Sequence, residues 1–202
     1  MDGSIRHDWY APLRAIASKG STTDVVGGLA GLAAARAQHQ GQFWTPDAVV
    51  RLMWKVAGLL DTSERVGGYK ITIFDNSFGS GRMFMFADPM RHRLAGIEID
   101  ADVAAEVQRV TERAGFERQL EVGSLEQFRH DPRHKFDVAI INPAFSVGID
   151  NPAVEDLGVN ALGRFGAHSS VLSHRYALAQ ALEWSDCLVG VVPRSLADEV
   201  LT

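Results

Sequence analysis

The sequence is poor in cysteine and has no long apolar run. Its single cysteine, Cys187, cannot form a disulfide within the chain, and the apolar residues 188–192 beside it predict a small buried side chain. No apolar stretch approaches the roughly 18 residues that a membrane-spanning helix needs. The first residues also lack the apolar core of a secretory signal peptide. We therefore expect a cytoplasmic protein that does not enter a membrane.

An excess of positive charge is also missing, because the 202 residues carry a formal net charge of −5. Proteins that hold nucleic acid by bulk electrostatics neutralise its phosphates with many lysines and arginines. Any binding of DNA must therefore rely on local contacts or on elements outside these residues. The closest histidine pair, His130 and His134, is separated by Asp131-Pro132, which breaks any helix that would place both rings on one face. We expect no metal site.

Short apolar runs recur along the chain, and hydrophobic residues make up 46% of it, enough for a sizeable core in one domain. Five runs have the near-continuous apolar character of strands in a parallel sheet that is covered on both faces. They are residues 70–74, 94–99, 120–122, 136–141 and 187–192. With right-handed crossovers, they predict an α/β fold with a doubly wound, mostly parallel sheet.

Helical patterns lie before and between these runs. The clearest covers residues 101–114, where Asp100 can cap the first turn, Gly115 can end the helix and apolar residues recur on one face. The other patterns cover residues 10–18, 23–38, 46–60 and 170–184. In a doubly wound sheet, ligands bind at the carboxyl ends of the strands, near the point where the strand order reverses. The loops at that edge should therefore form the functional site.

The first strand runs into a glycine turn, Asp75-Asn-Ser-Phe-Gly-Ser-Gly81, whose backbone can approach a ligand closely and open the next helix. A dinucleotide-binding turn would carry glycine or alanine where this chain has Phe84, which counts against NAD. Glu98 follows Gly79 by 19 residues, close to the spacing at which an acidic residue meets ribose hydroxyls in nucleotide-binding sheets. The alternative for Glu98 is a strand-end carboxylate that faces solvent.

The segment Asn142-Pro143-Ala144-Phe145 directly follows the fourth apolar run. The Asn142 side-chain oxygen and the Pro143 carbonyl can both accept hydrogen bonds from one amino group, while the Phe145 ring can stack on a flat heterocycle. This combination predicts a clamp for a nucleobase that carries an amino group. An ordinary strand-ending turn is the alternative, because Asn-Pro is a common turn dipeptide.

Six segments, taken in order, resemble a known family. They are Gly41-Gln-Phe-Trp-Thr-Pro46, Asp75-Asn-Ser-Phe-Gly-Ser-Gly81, Gly96-Ile-Glu-Ile-Asp100, Gly123-Ser-Leu-Glu126, Asn142-Pro-Ala-Phe145 and Leu188-Val-Gly-Val-Val-Pro193. The set is similar to the gamma-class N6-adenine DNA methyltransferases, especially the modification subunits of type I restriction systems. The resemblance covers residues 38 to 196. It implies S-adenosylmethionine as the cofactor and a Rossmann-like methyltransferase fold.

The resemblance also implies roles for individual residues. The implied cofactor-binding residues are Phe43, Thr45, Pro46, Asp75, Gly79, Gly81, Glu98 and Ser124. Within this set, the glycine turn would carry the methionine part of the cofactor, Glu98 would take its ribose, and the segment 43–46 would close over it. Thr45-Pro46 would also serve as the N-cap and first residue of a helix. Asn142, Pro143 and Phe145 would hold the target adenine.

Two positions depart from the family pattern. Ala144 stands where a second proline is usual, which costs some preorganisation of the turn, and Ser124 stands where an aspartate commonly accepts from the cofactor's adenine amino group. We expect residues 1–40 to form an N-terminal helical segment and residues 41–202 the catalytic domain, without the last strands of the family sheet or a target recognition domain. The open fifth strand predicts further domains of a longer chain, a specificity subunit or a homodimer partner.

The expected activity is transfer of a methyl group from S-adenosylmethionine to N6 of an adenine that is flipped out of DNA. Two alternatives stay open. One is a cofactor-binding module that has lost transfer activity, and the other is a methyltransferase that acts on RNA or on a protein glutamine. The segment 41–46 favours DNA.

Overall fold

A parallel sheet organises the part of the chain that the structure describes. The computed structural model describes residues 45–59, 69–131, 133–145, 148–150, 170–193 and 196. Its strands are β1 (Ile71–Asp75), β2 (His92–Glu98), β3 (Glu117–Val122), β4 (Phe136–Ile141), β5 (Gly148–Asp150), β6 (Ser170–Leu172) and β7 (Ser185–Gly190). Its α-helices are α1 (Asp47–Val56), α2 (Ala101–Arg113) and α3 (Ser173–Trp184). Single 3₁₀ turns follow β1 at Arg82–Phe84 and β3 at Leu125–Gln127.

The main sheet has the strand order β3-β2-β1-β4-β7, and all neighbouring strands in it are parallel. The chain builds outward from β1 to β3 and then returns to place β4 on the other side of β1. The strand order therefore reverses between β1 and β4, and the predicted doubly wound, mostly parallel α/β sheet is confirmed. All five predicted strands are present, with ends that differ by up to three residues.

The strands β5 and β6 form a separate antiparallel pair, with Ile149 opposite Val171. The sequence did not predict this pair, because strands of three residues are too short to show a readable alternation. The last predicted helix consequently begins later than expected. Residues 170–172 belong to β6, and α3 starts at Ser173.

Two apolar clusters cover the two faces of the sheet. Successive strand residues point to opposite faces, so Ile73 of β1 belongs to one cluster and Phe74 to the other. The helices α1 and α2 pack on the first face through Trp54, Val107 and neighbouring apolar residues. The helix α3 packs on the second face, where Tyr176 lies close to the strands. Both faces are therefore buried, which is why the central strands are almost continuously apolar.

The ends of α2 follow the predicted signals. The side chain of Asp100 accepts hydrogen bonds from the backbone N–H groups of Asp102 (3.0 Å) and Val103 (3.2 Å). Gly115 has a positive φ of 80° just beyond the last turn, where glycine is favoured. The predicted N-cap and C-terminal glycine are therefore confirmed.

The predicted cap of α1 is wrong. Pro46 occupies the N-cap position, α1 begins at Asp47, and the N-cap residue makes no side-chain hydrogen bond to the first turn. The Pro46 carbonyl accepts from the N–H groups of Val49 and Val50, which starts the helical hydrogen-bond pattern. The Thr45 hydroxyl has a different partner, in the loop after β4.

Two other expectations need correction. Cys187 is exposed, because β7 is the edge strand of the described sheet and only part of its surface is covered. The glycine turn after β1 opens a single 3₁₀ turn instead of a full helix.

The predicted helical segments 10–18 and 23–38 lie outside the described residues. Among the helices that the structure describes, none is long and apolar enough to cross a lipid bilayer.

Candidate active site

The loops after β1 and β4 lie side by side at the carboxyl edge of the sheet. The two strands are paired in parallel, with Phe74 opposite Ala139, so the chain leaves both strands at the same edge. Asp75 ends β1, and Asn142 comes directly after β4. The strand order reverses here, and in open α/β sheets ligands bind at the carboxyl ends of the strands at such a point. The structure thus brings the two predicted halves of the site to one place.

Glycines allow the loop after β1 to pass close to its neighbours. Gly81 has a φ of 73°, and an added Cβ atom would lie 3.2 Å from a Val107 methyl group of α2. Gly96 of β2 is still more restricted, since a Cβ atom there would lie 2.1 Å from the backbone oxygen of Asp75. The end of β1 therefore needs a neighbour without a side chain.

Asp75 carries a buried carboxyl group at the end of β1. Its side chain is 1% exposed, and Oδ1 accepts a hydrogen bond from the Ser77 N–H at 3.0 Å. Burial raises the pKa of Asp75 to about 8, against the lowering effect of the Ser77 hydrogen bond, and the nearby Glu98 charge adds a smaller rise. Near neutral pH this carboxyl group is therefore mostly protonated, and a cation beside it would favour its ionised form.

Glu98 ends β2 and is also buried. Its Oε2 accepts from the Gly79 N–H at 2.8 Å, and its Oε1 accepts from the Asp100 N–H at 2.9 Å. Burial raises the pKa of Glu98, while these backbone hydrogen bonds oppose the rise. The alternative of a solvent-facing carboxylate is therefore wrong. The glutamate ties the glycine turn to the end of β2, and its contact with a ribose stays a prediction.

Asn142 is connected to the segment that precedes α1. Its side-chain Nδ2 donates a hydrogen bond to Thr45 Oγ1 at 2.6 Å, and the next residue, Pro143, is buried. Thr45 itself is almost fully buried. Residues 97 positions apart thus meet at the predicted clamp.

Arg82, in the 3₁₀ turn after the glycine loop, holds the other side of Thr45. Its Nε donates to the Thr45 carbonyl oxygen, and its guanidinium group pairs with the Asp47 carboxylate at the start of α1. Burial lowers the pKa of Arg82 to about 10, so the side chain stays charged at neutral pH. Sequence reasoning missed this residue because nothing in the pattern around Gly81 distinguishes a buried arginine from an exposed one.

The remainder of the predicted clamp is held by the first turn of α3. Ser173 Oγ donates a hydrogen bond to the Ala144 carbonyl oxygen at 2.6 Å. The ring of Phe145 meets His174 edge-on, with ring centroids 5.9 Å apart. Phe145 is half-buried, so a part of its surface stays accessible. The turn that lacks a second proline is therefore fixed by a side-chain hydrogen bond from another element.

The model of the family described as N-6 DNA Methylase matches residues 27–159, about two thirds of the chain. The chain belongs to the N-6 DNA methylase family. The matched range contains the glycine turn, both buried carboxylates and the Asn142 loop, and it begins inside the predicted N-terminal segment 1–40. No curated protein matches the sequence.

Solved structures show the same fold. A protein described as a class I S-adenosylmethionine-dependent methyltransferase from Listeria monocytogenes superposes with a TM-score of 0.64 at 15% identity, over 90% of this chain and 57% of that one. The methyltransferase subunit of a type I restriction-modification system from Streptococcus thermophilus gives a TM-score of 0.61 at 17% identity, over 84% and 39% of the two chains. The described sheet is thus that of the Rossmann-like methyltransferases, and this member of the N-6 DNA methylase family spans only part of both proteins.

Ser124, after β3, begins the second 3₁₀ turn. Its hydroxyl group donates to Glu126 Oε1 at 2.6 Å, and its backbone N–H donates to Gln127 Oε1 at 3.0 Å. The carboxylate of Glu126 thus lies beside the Ser124 hydroxyl in the same turn. Contacts of Ser124 with a cofactor stay a prediction. Phe43, which the resemblance also implies as a cofactor-binding residue, lies outside the described residues.

A buried amide pair also joins the site loops, and the sequence did not predict it. Asn76 Nδ2 donates to the Ala177 carbonyl oxygen (2.8 Å) and to Gln180 Oε1 (2.9 Å), while Gln180 Nε2 donates to the Leu125 carbonyl oxygen (3.0 Å). The helix α3 therefore contacts the loops after β1, β3 and β4. Within the part of the chain that the structure describes, no cluster of three or more histidine, cysteine or acidic side chains could hold a metal ion.

Proposed function

We propose that this protein transfers a methyl group from S-adenosylmethionine to N6 of adenine in DNA. The observation that carries this proposal is the position of Asn142. Its amide lies at the carboxyl end of β4, next to the strand whose glycine turn and buried carboxyl group would hold the cofactor. Membership of the N-6 DNA methylase family supports the same reaction.

The residues around the glycine turn fit this cofactor. When bound, S-adenosylmethionine supplies an electrophilic methyl group on a positively charged sulfur, and it also carries an amino group. Burial raises the pKa of both Asp75 and Glu98, because it disfavours their ionised forms. A positively charged group of the cofactor nearby would favour the ionised forms. Gly79 and Gly81 let the backbone approach a ligand closely, and Thr45 and Pro46 would border the cofactor from the side of α1.

The loop after β4 would hold the amino group that receives the methyl group. The lone pair of an adenine N6 is delocalised into the ring, so the nitrogen is a poor nucleophile. Hydrogen bonds from N6 to Asn142 Oδ1 and to the Pro143 carbonyl would draw the amino group toward tetrahedral geometry and localise its lone pair. The same two contacts align the nitrogen with the methyl group, which lowers the barrier by orientation.

The target base must leave the DNA stack to reach this loop, at a cost of a few kcal/mol. Stacking on the half-buried Phe145 ring would recover about 1 to 3 kcal/mol of that cost. The net charge of −5 leaves little bulk attraction for DNA. We therefore propose that DNA is gripped with the help of further domains of a longer chain, a specificity subunit or a second copy of this chain.

A labelled-methyl assay tests the proposal. Wild-type protein, together with its native partners or the longer native chain where these exist, is incubated with methyl-labelled S-adenosylmethionine and, separately, with DNA, RNA or protein substrates. We expect label in DNA, recovered as N6-methyladenine after digestion. Asn142→Ala should abolish transfer and leave cofactor affinity, measured by calorimetry, nearly unchanged.

Gln119→Ala is the matched control, because it removes an exposed amide of β3 outside the proposed clamp. Its transfer rate should equal that of the wild type. Label in RNA or in a protein glutamine would replace DNA as the proposed substrate. Cofactor binding without label in any substrate would identify the protein as a cofactor-binding module instead.

A further inference from the structure

The hydrogen bond between Asn142 and Thr45 fixes which way the amide of the proposed clamp faces. An asparagine side chain carries a donor group and an acceptor group that exchange places on a 180° rotation. Here the donor, Nδ2, is 2.6 Å from Thr45 Oγ1. The acceptor, Oδ1, must then lie on the opposite arm of the amide. A contact to the nitrogen thus determines the place of the oxygen.

Thr45 is itself held in place by contacts on both sides. Its carbonyl oxygen accepts a hydrogen bond from Arg82, whose guanidinium group also pairs with Asp47. The following residue, Pro46, is the N-cap of α1, which is anchored in the core by Trp54 and its apolar neighbours. The Thr45 hydroxyl is therefore a fixed acceptor and not a mobile surface group, consistent with the 5% exposure of the residue.

We propose that Thr45 is a positioning residue for the base clamp, whose hydroxyl accepts the Asn142 Nδ2 hydrogen bond and so presents Oδ1 to the amino group of the target base. This inference rests on the proposed function. In the reversed orientation, Nδ2 would face the amino group of the base, and two donors would meet. Without the Thr45 hydroxyl, the amide loses the hydrogen bond that holds Nδ2 on this side, and only the orientation with Oδ1 toward the base is productive.

Kinetics of full-length Thr45→Val and Thr45→Ser test this role. Valine keeps the shape of threonine and removes the hydroxyl, whereas serine keeps the hydroxyl. We expect Thr45→Val to lower kcat by about tenfold or more, and Thr45→Ser to restore most of the lost turnover. The KM for the cofactor should change much less than kcat. Thr72→Val, the same replacement in β1 and away from the carboxyl edge, should leave kcat unchanged.

A second measurement needs neither cofactor nor DNA. The chain contains four asparagines, so selective ¹⁵N-asparagine labelling gives few side-chain amide signals, and Asn142→Ala identifies the signal of Asn142. Its Nδ2 protons should exchange slowly with water in the wild type and in Thr45→Ser. In Thr45→Val they should exchange at least about tenfold faster, because the acceptor is gone.

The two measurements separate this inference from the proposed function. Unchanged amide exchange in Thr45→Val would overturn the positioning role, whatever the kinetics show. A raised cofactor KM with an unchanged kcat would also overturn it, because Thr45 would then serve the cofactor alone. If the wild type transfers no methyl group to DNA, the proposed function fails, while the amide signals still decide whether Thr45 orients Asn142.

Discussion

Replacing Asp75 with asparagine should change how the stability of the protein depends on pH. In the unfolded chain, this carboxyl group ionises at its ordinary pKa of 3.8, whereas burial keeps it protonated up to about pH 8 in the native protein. Between these values, the native state binds one more proton than the unfolded state. The free energy of unfolding must therefore fall as the pH rises through this window.

The expected size follows from the number of protons. One proton contributes at most about 1.4 kcal/mol per pH unit, so Asp75 should cost the wild type about 3 kcal/mol between pH 5 and pH 7. Asp75 is 1% exposed, so water screens little of this effect. The amide of Asp75→Asn cannot ionise, but its oxygen can still accept the Ser77 hydrogen bond. The variant should therefore lack this component of the slope and gain on the wild type as the pH rises.

Urea unfolding at several pH values between 5 and 7 measures the effect. The pH dependence that other groups contribute, including Glu98, is common to both proteins and cancels in the difference to a first approximation. Asp186→Asn, which removes an exposed carboxylate of β7, controls for the loss of one negative charge. Parallel stability curves for the wild type and Asp75→Asn would refute the claim that the native protein buries a protonated Asp75.

Two further changes test the packing around the site. Gly96→Ala should destabilise the protein by about 3 kcal/mol or more, because its Cβ atom would lie 2.1 Å from the backbone oxygen of Asp75. Gly148→Ala should be nearly neutral, because no atom of the described residues lies within 4 Å of the added Cβ atom. Equal urea midpoints for the two variants would contradict this. Ser173→Ala removes the hydrogen bond to Ala144 and should cost about 1 kcal/mol of stability. It should also slow methyl transfer several-fold at unchanged cofactor affinity, and a kcat equal to that of the wild type would show that the turn needs no such support.

The apolar runs predicted the central part of the fold well and its edge less well. Strand β4 has the predicted bounds, because a central strand buried on both faces must be apolar along its whole length. The edge strand β3 begins at Glu117, three residues earlier than expected, since its first three residues are exposed and polar. Cys187 was misjudged because it lies on β7, the other edge strand of the described sheet. An apolar run on an edge strand does not show whether its outer surface is covered.

The candidate site was predictable as a set of loops but not as a set of contacts. Short motifs after β1, β2 and β4 identify residues at one sheet edge, because parallel strands place their carboxyl ends together. They do not show that a buried arginine would hold Thr45, or that a hydroxyl near α1 would accept from Asn142. Those partners come from elements distant in sequence, and the choice among many equally polar candidates is made by tertiary packing.

The turn at Ala144, where the family resemblance predicts a proline, is restrained by a contact that the sequence does not show. From the sequence, this change predicts a turn with one more flexible dihedral and therefore a less ordered clamp. In the structure, the hydroxyl of Ser173 binds the Ala144 carbonyl, and the helix that carries Ser173 is tied to Asn76 through Gln180. A hydrogen bond from a packed helix thus restrains the turn that a proline ring would have restrained locally. The order of this loop depends on the integrity of α3, and substitutions in that helix should therefore affect the proposed clamp without contacting the base.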